Sequence, residues 1–292
     1  MNTVDEDEQV EPKGPPMGVS RRRLLKSALA IAPSLVGAQL LAQGALSFAK
    51  GTGSDADANP ALKYDPAAHD WAFVCDTNKC IGCGHCVVGC KVENHVPLNP
   101  EENRTWIERH VVATDGKVYI DSPEAGINGF PPESEAPGAP TDKKDISAAF
   151  FMPRLCMQCE NPPCVSVCPV TATFQTADGV ILVDQDRCIG CGYCVVACPY
   201  GARYLVPAGG PTPTGITGVV DKCTWCYHRI TKGMQPACVE MCPVGARVFG
   251  DRNDPQSTVN KAIKANPTKV LRPSLGTKPR VYYVGLEREE VK

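Results

Sequence analysis

Sixteen of the chain's 17 cysteines fall into four spaced sets, and no other feature restricts its folding as strongly. The first set is Cys80-x2-Cys83-x2-Cys86-x3-Cys90, and the third is Cys188-x2-Cys191-x2-Cys194-x3-Cys198 followed by Pro199. The second, Cys156-x2-Cys159-x4-Cys164-x3-Cys168 before Pro169, has a longer middle turn through Glu160-Asn161-Pro162-Pro163. The fourth, Cys223-x2-Cys226-x11-Cys238-x3-Cys242 before Pro243, carries a longer insertion at the same place. Only Cys75 is left over. The repetition reaches past the sulfurs: Cys168-Pro-Val-Thr-Ala172, Cys198-Pro-Tyr-Gly-Ala202 and Cys242-Pro-Val-Gly-Ala246 are followed at similar offsets by Phe174, Tyr204 and Phe249. Such internal repeats mark duplicated structural units.

Composition says why the cysteines matter. With 27 Pro and 26 Gly but only 6% aromatic residues, the chain is unlike one held by a large hydrocarbon core alone, so something else must cross-link it. The spacing of sets one and three is that of bacterial ferredoxins, in which four thiolates converge on a 4Fe-4S cubane. A Cys-x2-Cys-x2-Cys loop wraps its backbone round such a cluster, turning three sulfurs and several amide N–H groups inward. Gly82, Gly84, Gly190 and Gly192 suit that close approach and the positive φ it demands. A short helix is expected to begin at the last cysteine of each set, and the proline after it then redirects the chain. Repeated x2 pairs would make strained local disulfides, and zinc ribbons use two x2 pairs per metal rather than a trio with a fourth cysteine at x3.

In two-cluster ferredoxins the last cysteine of each set ligates the other cluster. Sets two and three are joined by residues 169–187, in which 179–184 reads as a returning strand. They are expected to form one module, with Cys156, Cys159, Cys164 and Cys198 on one cluster and Cys188, Cys191, Cys194 and Cys168 on the other. Sets one and four then form the second module, its clusters held by Cys80, Cys83, Cys86 and Cys242, and by Cys223, Cys226, Cys238 and Cys90. Cys75, beside Trp71 and Phe73, reads as a buried free thiol. Lys79, Arg154, Arg187 and Lys222 each lie just upstream of a set, where a cation would favour the reduced cluster; a solvated surface role is the competing reading. His85 and His228 are expected to be structural.

The N-terminus is an address. Ser20-Arg21-Arg22-Arg23-Leu24-Leu25-Lys26 followed by uncharged residues 27–49 has the order of a twin-arginine signal. Pro33, Gln39 and Gln43 keep that stretch weakly apolar, which suits a signal removed after Ala49, although its length would also serve a retained anchor. A net charge of -2 gives no basis for nucleic-acid binding. No Ser-His-Asp set, phosphate loop or metal-hydrolase motif is present, so no substrate site of its own is expected.

Cys-Ile-Gly-Cys-Gly-His-Cys at 80–86, Leu-Cys-Met-Gln-Cys at 155–159, Cys-Ile-Gly-Cys-Gly-Tyr-Cys at 188–194 and Lys-Cys-Thr-Trp-Cys-Tyr-His-Arg at 222–229 resemble the four-cluster iron-sulfur subunits of bacterial respiratory complexes. These include the electron-transfer subunits of dimethyl sulfoxide, polysulfide and tetrathionate reductases and ferredoxin-like proteins associated with nitrite and sulfite reduction. The resemblance implies the same crossed ligation, with the first/fourth module facing a catalytic or haem partner and the second/third facing the quinone side. Some relatives replace a ligand and carry a three-iron cluster; here no ligand position is missing, which implies four intact cubanes.

The expected fold class is α+β: duplicated two-cluster ferredoxin modules of short strands, short helices and long loops. Residues 1–49 are expected to be signal, 50–70 linker, 71–250 the four-cluster domain with an insertion at 96–150 holding a hairpin around Asp115-Gly116, and 251–292 a docking tail. The expected function is electron transfer on the periplasmic face of the cytoplasmic membrane. The partners would be a multi-span quinone-reactive membrane subunit and either a molybdopterin catalytic subunit or a multihaem cytochrome c. A freely diffusing polyferredoxin and a structural adaptor are the competing classes.

Overall fold

Strands form where β-branched and aromatic residues gather between turns, and in this chain most such runs are brief. The computed structural model of the protein describes residues 64–131, 135–207 and 215–286; the expected signal segment lies outside them. Strand β1 (Trp71–Asp76) sits inside a four-stranded sheet. It pairs antiparallel with β9 (Arg247–Asp251), placing Cys75 opposite Arg247, and parallel with β11 (Val281–Val284), placing Phe73 opposite Val281. The short β10 (Thr268–Lys269) closes the other edge of β11. Successive side chains of β1 alternate between two buried surroundings, which is why the strand reads as almost continuously apolar. Ala72 and Val74 meet Val259 of helix α6 (Thr258–Ala265), while Phe73 and Cys75 face the main core with Phe249 and Tyr283.

The 96–150 insertion contributes most of a second sheet. Strands β2 (Thr105–Ala113), β3 (Val118–Asp121) and β4 (Ile146–Leu155) run antiparallel in the order β3-β2-β4, and the β2–β3 hairpin turns at Asp115-Gly116 as expected. Two small hairpins carry the repeats: β5 (Thr173–Gln175) with β6 (Ile181–Val183), and β7 (Arg203–Leu205) with β8 (Val220–Lys222). Phe174, Tyr204 and Phe249 fall in β5, β7 and β9, so the sequence repeat is a strand repeat.

The helices pair the cysteine sets. Helix α1 (His85–Glu93) lies against α5 (Ala237–Glu240), joining the first set to the fourth, and α2 (Pro163–Ser166) lies against α3 (Tyr193–Val196), joining the second to the third. The long insertion of the fourth set holds a further single turn, α4 (Tyr227–Ile230). A Cβ on Gly89 of α1 would come within 2.5 Å of Met241 Cγ, so glycine is what allows α1 to approach the fourth set.

Three sequence expectations are corrected. The helices that pair the sets begin before the third cysteine of each set, not at the fourth. In the first and third sets the left-handed turns at Gly84 and Gly192 start them early, and the fourth cysteine of sets two, three and four lies beyond the helix end. The folded unit reaches back to residue 64, inside the expected linker: Asp70 takes a bidentate pair from Arg252 at 2.8 and 3.0 Å. Residues 251–286 are likewise not a tail, since β11 completes the sheet around β1. Tyr283 is fully buried and donates to the Pro153 carbonyl at 2.9 Å. Tyr283→Ala should therefore destabilise the protein by about 3–5 kcal/mol, whereas Tyr283→Phe, which removes only that hydrogen bond, should cost about 1–3 kcal/mol. Anaerobic thermal unfolding of the holoprotein measures both, and a tail that merely docked would show neither loss.

Candidate iron-sulfur centres

The same turn recurs in all four sets. The residue before the second cysteine has positive φ each time: Gly82 at 70°, Gln158 at 45°, Gly190 at 68° and Trp225 at 53°. Two of these are not glycine, and surrounding bonds hold them in a conformation that costs L residues on the order of 1–3 kcal/mol. The Gln158 side chain donates to Cys223 O at 2.9 Å and accepts from Ile181 N at 2.7 Å. The indole of Trp225 is buried between Phe73 and Phe249. In the first set the turn is also enclosed, since a Cβ on Gly84 would lie 2.4 Å from Ile127 O and 2.5 Å from Gly126 O.

These turns bring cysteines together from distant parts of the sequence. Cys80, Cys83, Cys86 and Cys242 line one small cavity with Ile107 and Arg247. Cys156, Cys159, Cys164 and Cys198 line another with Tyr200 and Arg203. Cys90, Cys223, Cys226 and Cys238 are close enough for mutual electrostatic interaction, and Asn94 Nδ2 lies 3.6 Å from both Cys90 Sγ and Cys226 Sγ. Of the remaining set, Cys188 and Cys194 pack with Ile181 and Val220, Cys168 is half-buried and Cys191 is exposed.

The donor chemistry fits iron-sulfur clusters. None of the 17 cysteines is in a disulfide. Among the described residues no three His, Cys, Asp or Glu side chains are grouped so as to hold a single metal ion. Backbone N–H groups point at sulfurs from Ala246 to Cys242 (3.2 Å), Trp225 to Cys223 (3.4 Å), Val220 to Cys188 (3.5 Å) and Thr173 to Cys168 (3.5 Å). Burial pushes the thiols of Cys80 and Cys223 up to about 11 and that of Cys159 up to about 12, with neighbouring cysteines adding to the rise. Four buried thiolates therefore need cationic iron between them to stay deprotonated. Cys168 differs: its burial penalty is outweighed by N–H groups of Thr173, Val170 and Ala172, which hold it below the ordinary thiol value. Clusters held by the cysteines of these cavities would supply one-electron chemistry, with the buried side chains around them excluding water.

Of the four upstream cations, only Lys222 is buried. Lys79 and Arg187 are mostly exposed and pair with Asp76 and Asp184, and Arg154 pairs with Glu108 at 3.0 Å. His85 is exposed, and His228 Nε2 lies 2.7 Å from Glu93. Cys75 is fully buried in β1, its thiol pushed up to about 12 by burial. Sequence reasoning missed Arg203 and Arg247, the buried cations beside the cavities. The signal was present: each follows the repeated Cys-Pro-x-Gly-Ala. It also missed Arg104, which grips Asp221 through two 2.8 Å bonds and reaches Asn94 Oδ1 at 2.8 Å.

A 4Fe-4S dicluster domain matches residues 79–172, and a second 4Fe-4S dicluster domain matches residues 147–252. A tetrathionate reductase subunit of Salmonella typhimurium is 39% identical over 75% of this chain and 74% of its own length. This protein belongs to the four-cluster iron-sulfur subunit family of respiratory complexes. A putative dimethyl sulfoxide reductase iron-sulfur subunit of Halobacterium salinarum is 39% identical over 75% of this chain and 80% of its own length. A polysulfide reductase polypeptide of Wolinella succinogenes is 35% identical over 76% of this chain and 97% of its own length. This iron-sulfur subunit carries four 4Fe-4S clusters and is an electron-transfer component of a multi-subunit complex rather than its catalytic subunit.

Cys75→Ala should leave iron and acid-labile sulfide at about sixteen each per chain. Gly84→Ala, which drives a methyl group into the 126–127 carbonyls, should lower both by about a quarter. Colorimetric iron and sulfide assays on anaerobically purified protein decide; loss of iron in Cys75→Ala would make that thiol a ligand.

Proposed function

We propose that the subunit passes electrons through four clusters held by the crossed sets: Cys80, Cys83, Cys86 and Cys242; Cys223, Cys226, Cys238 and Cys90; Cys156, Cys159, Cys164 and Cys198; and Cys188, Cys191, Cys194 and Cys168. The observation that carries this reading is the meeting of Cys242 with the first set and of Cys198 with the second, each in a cavity of four cysteines. Crossed ligation places two clusters in each module near one another, as outer-sphere transfer requires.

The partners we infer are a multi-span quinone-reactive membrane subunit and either a molybdopterin catalytic subunit or a multihaem cytochrome c. The names of the relatives, which are subunits of tetrathionate, dimethyl sulfoxide and polysulfide reductases, support assembly with partner subunits in general. The order of residues 20–49 supports twin-arginine export to the periplasm, by a route that carries proteins already folded round their cofactors. Contact with the membrane is through the partner.

Anaerobic affinity purification from solubilised membranes should bring down the subunit with a multi-span membrane protein and either molybdenum or covalently bound haem. The N-terminus of the mature protein should lie at residue 50. Recovery of the subunit alone, with its full iron, would favour a freely diffusing polyferredoxin instead.

A further inference from the structure

Three buried cations lie between cysteine sets rather than within one. Arg247, 2% exposed, interacts electrostatically with Cys86 and Cys80 on one side and with Cys238 on the other. Its Nη2 donates to Thr105 Oγ1 at 2.8 Å, while Nε and Nη1 are buried with no acceptor among the described residues. Lys222, fully buried, lies between Cys223 of the fourth set and Cys156 and Cys164 of the second; its Nζ donates to Ile181 O and, at 2.7 Å, to Cys223 O. Arg203, 5% exposed, donates from Nη2 to Cys164 Sγ at 3.0 Å and from Nη1 to Thr173 Oγ1 at 3.2 Å, and also interacts with Cys194 of the third set. The acceptors of all three are neutral oxygens or sulfur. Arg104, by contrast, is neutralised by Asp221.

A cation buried without a carboxylate is unfavourable unless other negative charge stands close by. Cubanes held by four thiolates supply that charge, because four thiolates outweigh the positive core. The neighbours also order the four sites in a row: first set, Arg247, fourth set, Lys222, second set, Arg203, third set. The middle interval crosses between the two modules, where Cys223 and Cys156 are close enough to influence each other electrostatically.

We propose that Arg247, Lys222 and Arg203 are interval cations: each sits between two consecutive clusters and raises the potential of both, which offsets part of the opposition that an electron on one cluster presents to reduction of the next. The proposal deepens the four-cluster reading and rests on its ligand sets. These are positioning charges that touch no substrate. The duplication that made the modules explains two of them, since Arg203 and Arg247 occupy the same place in their repeats. The corresponding residue of the Cys168 repeat is Thr173, which accepts a hydrogen bond from Arg203. Lys222 comes from the end of β8 instead and serves the one interval that no repeat spans.

The test is a potentiometric titration of the holoprotein, followed by low-temperature electron paramagnetic resonance, with Arg247→Gln, Lys222→Gln and Arg203→Gln. Each variant should lower the potentials of two clusters and leave two unchanged. The Arg247 and Lys222 variants should share one shifted cluster, the Lys222 and Arg203 variants another, and the Arg247 and Arg203 variants none. This overlap pattern can be scored without knowing which signal belongs to which cluster. If a neutral variant loses iron, Arg247→Lys, Lys222→Arg or Arg203→Lys replaces it, since a displaced charge should perturb the same two signals and no third. One shifted cluster per variant, four shifted together, no shift at all, or a cluster shared by Arg247 and Arg203 would overturn the proposal. Failure of the underlying four-cluster reading would show separately, as iron and sulfide far below about sixteen each in the unmutated protein.

Discussion

The fold is organised by the need to bring buried sulfurs together from distant parts of the chain. Cysteines occupy positions that hydrocarbon side chains would take in an ordinary core: Cys86, Cys90, Cys156, Cys159, Cys223 and Cys238 all lie in the main buried cluster beside Phe73, Trp225 and Phe249. Empty, such a centre would be a set of desolvated thiols whose burial opposes ionisation, as the elevated values at Cys80, Cys159 and Cys223 indicate. Iron reverses that preference, so metal binding and chain folding are one thermodynamic event. Short strands and one-turn helices suffice because the clusters supply the cross-links.

Much of this was legible from spacing alone. The repeated sets announce repeated turns, and Gly82, Gly84, Gly190 and Gly192 all adopt the positive φ expected of them. The hairpin at Asp115-Gly116 and the return strand within 179–184 follow local rules of turn and strand chemistry. What local pattern cannot carry is a conformation imposed from outside. Gln158 and Trp225 take the glycine-like turn although neither residue favours it, because the Cys223 carbonyl, the Ile181 amide and a box of aromatic rings hold them there. The tail expectation failed for a related reason: the partner of β11 is β1, at the opposite end of the folded unit.

Charge placement was partly hidden for a different reason. Adjacency in sequence drew notice to Lys79, Arg154, Arg187 and Lys222, yet strands and turns send three of them to carboxylates and only Lys222 inward. Arg203 and Arg247 follow the last cysteines instead, where β7 and β9 begin, and the strand pleat turns both into the interior. Repeat arithmetic, applied beyond the cysteine ligands, would have found them.

The parallel pairing of β1 with β11 has a consequence for biosynthesis. Trp71–Asp76 leaves the ribosome early, but the strand beside it, Val281–Val284, is among the last described residues to be made. Until then β1 has one open edge, and the first and fourth cysteine sets lie beside a sheet that is not yet complete. Contacts of such wide sequence separation form slowly, and an unpaired edge invites association with other polypeptides. The nascent polypeptide thus passes through a stage in which the sulfurs of the outermost sets exist but their enclosure does not, so completion of that module waits for synthesis of Val281–Val284.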